Sequence, residues 1–338
     1  MGACPMRYAE KPRRADASLV LLYDEWTMRV AFLMNSVTFG GVEVACYDYA
    51  DYNETILKNE SIIITRDLRP RYASVYERFE KRFKVVYIKT YNDIQRNIRD
   101  LAIDVCYSQK SGERDVHHTR ECKTAIHCVF TTKEPHGNVY AAIHNTLNRI
   151  HGTNVPVVPY MVRIDTHSDS FRSELGIPAD SVVVGRYGSS DTFDIPFVHA
   201  AVIELLERNP SMWFVFMATN RFATHPRIVY LPATPELYVK RKFINTCDVM
   251  LHARCRGETF GLSCGEFSVA GKPFITWAHS AERAHIENSK GVCCQYSDKA
   301  DVIRIIESGE WKMDMSASGY LDYTPDKVMA IFDKVFLR

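Results

Sequence analysis

The sequence has no run of 18 apolar residues and so offers no candidate membrane span. It has no Lys/Arg block and no basic low-complexity tail. Its formal net charge is +1, with acids and bases interspersed, which argues against an extended nucleic-acid surface. The locally basic stretch 69–84, RPRYASVYERFEKRFK, reads as a solvated helix face with i,i+4 pairs. Ten cysteines are scattered without a C-x-x-C pair, and Cys293 and Cys294 are adjacent. Reduced thiols in a cytosol fit that pattern, so a cytoplasmic protein is expected. The N-terminal stretch MGACPMRYAEKPRRADASLVLLYDEW makes a poor signal peptide, because its apolar run is short and followed by acids. It also lacks the Ser or Thr of a myristoylation site at the sixth position. His117-His118 has no spaced partner set and no Asp-x-Asp occurs, so neither a metal nor another cofactor is expected.

What is present is enough for two domains: 338 residues, 46% hydrophobic. Short β-branched runs alternate with amphipathic stretches, which predicts an α/β protein with parallel sheets. In the first half, strands are expected at 29–35, 61–66, 84–89, 104–109, 123–130 and 139–144, with helices at 42–57, 70–82 and 91–101. NVPVVPYMV (154–162) is broken by proline and reads as the extended approach to an interdomain linker. In the second half, helices are expected at 168–178, 197–208, 235–247, 262–271, near 280–288, at 298–308 and at 324–337. The strands between them fall at 181–188, 212–218, 227–232, 248–253 and 272–277. Thr324 and Pro325 look like the cap and first residue of the last helix, whose apolar stripe includes Val328, Met329, Ile331, Phe332, Val335 and Phe336. The cleft between two such domains is the default ligand site.

The stretch RGETFGLSCGEFSVAGKPFITW (256–277) holds two glutamates, Glu258 and Glu266, around a glycine-rich turn. Glu258 sits at the carboxyl end of a strand, where open α/β sheets bind ligands. Thr259, Phe260, Gly261 and Leu262 turn into a helix whose first amides lack internal partners and carry partial positive charge, which suits a diphosphate. Glu266, a turn inside the helix, can only accept hydrogen bonds when ionised and suits a vicinal diol such as ribose. Standing alone, two glutamates at this spacing are more often ordinary helix-boundary residues.

GETFGLSCGEFSVAGKPFI resembles the E-x7-E signature of retaining GT-B glycosyltransferases, family 4 in particular, and the likeness runs on through AGKPFI. FRSELGIPADSVVVGRYG and RIVYLPATPELYVKRKFINTCDVMLHA resemble the flanking parts of that family's donor domain. In the first half, RVAFLMNSVTFGGVEVACY resembles the opening strand and glycine loop, and DVCYSQK and KTAIHCVF the paired late strands. The resemblance implies an N-terminal acceptor domain (1–163), a nucleotide-sugar donor domain (164–322) and a last helix (323–338) returning to the first domain. It implies transfer of a sugar from a UDP- or GDP-sugar to a hydroxyl of a glycan or small acceptor, metal-independent and with retention. Glu258, His127 and Arg186 would be the catalytic set. Gly40, Gly41, Arg186, Thr259, Phe260, Gly261, Leu262 and Glu266 would bind the donor.

Two departures weigh on this. The family's second phosphate-binding cation, a lysine five residues after the arginine, is Asp191 here, leaving Lys123, Arg254 and Arg256 as candidate replacements. Cys128 stands where an aspartate often follows the histidine. A nucleotide-sugar epimerase on the same fold, or a non-catalytic module that binds sugar nucleotides, are the other readings. His127 could equally be a core histidine with both nitrogens satisfied.

Overall fold

The computed structural model describes residues 28–115 and 119–338. Residues 1–27 and the His117-His118 pair lie outside the described residues. Two all-parallel, six-stranded sheets are built in succession. The first uses β1 (Arg29–Met34), β2 (Glu60–Arg66), β3 (Lys84–Ile88), β4 (Val105–Lys110), β5 (Lys123–Cys128) and β6 (Val139–Ala142), in the order 3-2-1-4-5-6. The second uses β7 (Val182–Tyr187), β8 (Met212–Met217), β9 (Ile228–Leu231), β10 (Val249–Leu251), β12 (Phe274–Trp277) and β14 (Cys294–Tyr296), in the order 14-12-10-7-8-9. A short parallel pair, β11 (Gly257–Glu258) with β13 (Glu282–Arg283), stands apart. The strands are runs such as SIIIT and FVFM because both faces are covered by helices.

Helices α1 (Gly41–Thr55), α2 (Arg69–Arg82), α3 (Tyr91–Asp100) and α4 (Asn145–His151) belong to the first half. The second half carries α5 (Pro196–Arg208), α6 (Leu237–Thr246), α7 (Leu262–Val269), α8 (Ala284–Asn288) and α9 (Lys299–Ser308). The end of the chain forms α10 (Pro325–Phe332) and a π-helical turn, Asp333–Leu337. Local chemistry explains several boundaries. Thr90 and Asp93 form a capping box at α3. Asp298 accepts from the Asp301 amide at the start of α9, and Gly309 closes that helix at φ +75. Pro325 sits in the first turn of α10, while the Thr324 side chain makes no capping bond.

The helix expected at 168–178 does not form; the segment is a set of turns. Tertiary bonds account for this. The Phe171 amide donates to Thr246 Oγ1 (2.8 Å), and Arg172 forks onto Asp248 (2.7 Å) and the Ser181 carbonyl (2.9 Å). These anchors hold the chain against the second sheet rather than around its own axis. Helix α4 was not anticipated. It is seven residues long, capped by His144 and closed by Gly152 in the left-handed region.

One contiguous apolar cluster joins the two halves. It runs from Val30 and Phe32 of β1 through Val158, Tyr160 and Val162 of the crossover to Phe243, Met250 and Phe274 of the second half. The chain end closes it. Phe332 stacks on Tyr49 of α1 (4.9 Å between ring centres), and Phe336 meets Tyr107 of β4 (5.3 Å). The Val162 amide donates to the Tyr323 carbonyl (2.9 Å). Val328, Met329 and Phe332 are buried, but Ile331, on the expected stripe, is exposed. No helix among the described residues is long and apolar enough to cross a membrane.

Candidate functional site

The carboxyl ends of the two sheets face one another across a cavity of about 320 Å³. Its walls come from the glycine loop before α1, the end of β7, α6, and the turn leading into α7. Gly41 and the turn oppose each other: a Cβ on Gly41 would lie 3.7 Å from Leu262 Cδ1. Gly261 must be glycine. Its φ is +86, and a Cβ there would come within 2.7 Å of His285 Cβ and 2.8 Å of the Tyr320 hydroxyl. It occupies the cap position of α7 with no side chain capping the helix, so the first amides of α7 stay free of side-chain acceptors. The Phe260 carbonyl is held from behind by the Tyr320 hydroxyl (2.8 Å) and Asn288 (3.2 Å).

Arg186 is the last but one residue of β7 and is 3% exposed, yet lines this cavity. Its guanidinium donates to Thr219 Oγ1 and Thr192 Oγ1 (2.6 Å each) and to the Ser189 carbonyl (2.9 Å). Among the described residues it has no carboxylate partner. Burial pushes its pKa down to about 10. A buried cation held in place by neutral groups is suited to receive an anion from the cavity.

Glu258 lines the same cavity from the second half, with 21% of its side chain exposed, enough to reach a ligand. Burial raises its pKa, but His252 (3.2 Å) and Arg254 (2.9 Å) outweigh that and hold it at about 2. Behind it runs a buried relay. His252 Nδ1 lies 2.8 Å from Thr276 Oγ1, which lies 2.8 Å from His285 Nε2. His252 thus bridges the Glu258 carboxylate at Nε2 and the Thr276 hydroxyl at Nδ1, and the same hydroxyl meets His285. His285 Nδ1 has no partner among the described residues, and burial holds this ring's pKa well below the ordinary histidine value. The relay fixes both the rotamer and the charge of Glu258.

Glu266 is 2% exposed and accepts from Lys240 Nζ of α6 at 2.7 Å. Burial opposes both charges, pushing Lys240 down to about 8 and Glu266 up. Asp48 of α1, itself raised to about 6 by burial, contributes to the field at this pair from the first half.

Of the residues singled out from the sequence, Gly40, Gly41, Arg186, Glu258, Thr259, Phe260, Gly261, Leu262 and Glu266 all line the one cavity. His127 does not. It is fully buried in β5, with Nε2 2.9 Å from the Val158 carbonyl and Nδ1 2.7 Å from the Tyr107 hydroxyl. Aromatic rings of Tyr49, Tyr160 and Phe336 surround it, so it braces the core instead of meeting a ligand. Asp191 is exposed and is not part of the cavity wall. Of the candidate replacement cations, Arg254 lines the cavity, Arg256 pairs with Glu282, and Lys123 bonds the Arg338 carbonyl. His252 and Lys240 escaped the sequence reading. The alternation of His252 and Arg254 immediately before Glu258 was the available signal for the first; nothing in α6 marked the second.

No family model and no curated protein matches the sequence. Solved structures do. A glycosyltransferase of Rickettsia africae superposes with a TM-score of 0.65 at 12% identity, over 93% of this chain and 99% of that one. HepE of Anabaena, in complex with UDP-glucose, gives 0.66 at 12% identity over 91% and 99%. The fold is GT-B. A protein of Listeria monocytogenes described as a UDP-N-acetylglucosamine 2-epimerase has the same GT-B arrangement, with a TM-score of 0.61 at 13% identity over 91% and 96%. At these identities the likeness defines architecture, and chemistry must come from the cavity itself.

Proposed function

We propose that this chain is a glycosyltransferase that takes a sugar from a nucleotide diphosphate sugar and passes it to an acceptor hydroxyl with retention, without a metal. The observation carrying the reading is the buried Arg186, held by neutral groups in the same half of the cavity that offers the uncapped amides of α7. A diphosphate would complete both. Glu258, kept ionised by Arg254 and the histidine relay, would bind donor sugar hydroxyls. Glu266, steered by Lys240, would accept from the ribose. Arg254 would supply the second positive charge that Asp191 does not. The two sheets would act as acceptor and donor halves, with divisions at 163 and 322, and the enzyme's contribution would be positioning and stabilisation of the departing diphosphate. The HepE complex with UDP-glucose supports a UDP-sugar as the first donor to try.

The Listeria neighbour favours one second reading, epimerisation of the donor. Proton NMR of UDP-glucose, UDP-N-acetylglucosamine and GDP-mannose incubated with the protein and a glycan mixture separates them. Free nucleotide with a new glycosidic anomeric signal of the donor's configuration supports retaining transfer. A nucleotide sugar with inverted C2 supports epimerisation. An inverted glycosidic signal, or donors left intact, contradicts the proposal.

A further inference from the structure

A second cavity of about 140 Å³ lies at the carboxyl ends of β1 and β4. Sheet order reverses between these strands, the place where open α/β sheets take ligands. Three cations line it: Arg66 at the end of β2, Lys89 just past β3, and Lys110 at the end of β4. The Lys110 side chain is 8% exposed and is paired with Asp115 at 2.8 Å. Arg66 Nε donates to the Asn35 carbonyl (2.9 Å). Its Nη groups and Lys89 Nζ have no carboxylate partner among the described residues. The nearby carboxylate of Asp93 is occupied by the amides of Lys89 and Thr90 and by Arg96. The N-terminus of α3 lies at this cavity, since Thr90 and Tyr91 line it, and Asp93 already caps it. With Lys110 paired to Asp115, Arg66 and Lys89 leave the cavity short of negative charge.

Gln109 connects this cavity to the first. It lines the second cavity, and its Nε2 donates to the hydroxyl of Tyr160, which lines the first. Gln109 Oε1 is buried and has no partner among the described residues, an acceptor available to a hydroxyl between the two cavities. A ligand with an anion in the small cavity would project its hydroxyls past Gln109 toward Glu258 and the turn before α7.

We propose that the second cavity is a phosphate site that holds the phosphomonoester of a sugar-phosphate acceptor. The acceptor role rests on the transferase reading above; the anion site does not. A volume of 140 Å³ suits a phosphate group rather than a whole nucleotide. Arg66 and Lys89 would contact it from the rim and Lys110 from below.

The test is calorimetric titration, in phosphate-free buffer, of glucose 6-phosphate, glucose, inorganic phosphate and UDP into the wild type and the double variant Arg66→Gln/Lys89→Gln. Both residues are exposed, so the variant keeps its fold. Glucose 6-phosphate should bind at least tenfold tighter than glucose and be competed by inorganic phosphate. The double variant should lose at least tenfold in that affinity with UDP affinity unchanged. Equal affinity for glucose and its phosphate, or an unchanged affinity in the double variant, overturns the site. Intact sugar-phosphate binding in a wild type that does not bind UDP overturns the acceptor role and the transferase reading, while the anion site stands.

Discussion

Replacing Arg186 with methionine should cost ligand affinity and leave stability nearly unchanged. Burial holds the guanidinium at about 10 against an ordinary 12.5, a penalty of roughly 3 kcal/mol on the charged form. Methionine removes that penalty. It also removes the bonds to Thr192, Thr219 and the Ser189 carbonyl, each contributing about 1 kcal/mol net. The two effects offset, so the melting temperature should move by no more than a few degrees. Binding is different, because a charge-assisted bond to a diphosphate contributes about 1.5–3 kcal/mol. UDP affinity should therefore fall roughly 10- to 150-fold. Arg186→Lys keeps the charge but cannot span Thr192 and Thr219 together, and should fall between wild type and methionine. Calorimetry with UDP, beside thermal unfolding, reads both quantities. An unchanged dissociation constant in a folded Arg186→Met protein would refute the assignment of Arg186 to the phosphates. A large loss of stability would show that the arginine braces β7 instead.

Asp191→Lys should leave donor affinity unchanged or improve it, since Asp191 is exposed and outside the cavity wall; a clear loss by calorimetry would place Asp191 against the ligand. Deleting 324–338 removes Phe332 and Phe336 from the aromatic cluster over β1 and β4, at about 3–5 kcal/mol for each ring. The truncated protein should aggregate and lose donor turnover, and a monodisperse truncation with full turnover would contradict the packing. Burial holds His127 at about 3 against 6.5 in the unfolded chain, so the unfolded state takes up the proton first. The stability this neutral ring contributes is fully present above pH 6.5 and is lost as pH falls from there toward 3, about 2 kcal/mol by pH 5. His127→Gln should flatten that part of the urea-denaturation profile, and an unaltered slope would refute the assignment.

The sequence showed the alternation of strands and helices plainly, because buried parallel strands such as SIIIT leave long β-branched runs that helices do not. The turn before α7 was legible for a related reason: Gly261 must adopt a left-handed conformation, and Glu258 and Glu266 bracket it in sequence as they do in space. What failed depended on distant contacts. The stretch 168–178 has a helical pattern, but Thr246 and Asp248 bind it from about seventy-five residues on. His127 sits in the strand where a ligand contact was expected, and only the packing of Tyr107, Tyr160 and Phe336 around it shows that it faces the core. Lys240 meets Glu266 across twenty-six residues with no local mark. The boundary of α10 was visible from Pro325, yet Ile331 turned outward because the helix seats Val328, Met329 and Phe332 on α1 and β1.

If a nucleotide diphosphate sugar binds between the two sheets, thermal unfolding with a panel of UDP, GDP, UDP-glucose and GDP-mannose will show it. Ligand at a hundredfold excess over its dissociation constant stabilises the native state by about 2.7 kcal/mol, well above the noise of the method. At least one nucleotide and its sugar should give such a shift, reduced by about half or more in Arg186→Met and in Glu266→Ala at the same ligand concentration. A wild-type protein whose melting temperature none of the four raises, or a shift undiminished by both substitutions, would contradict it.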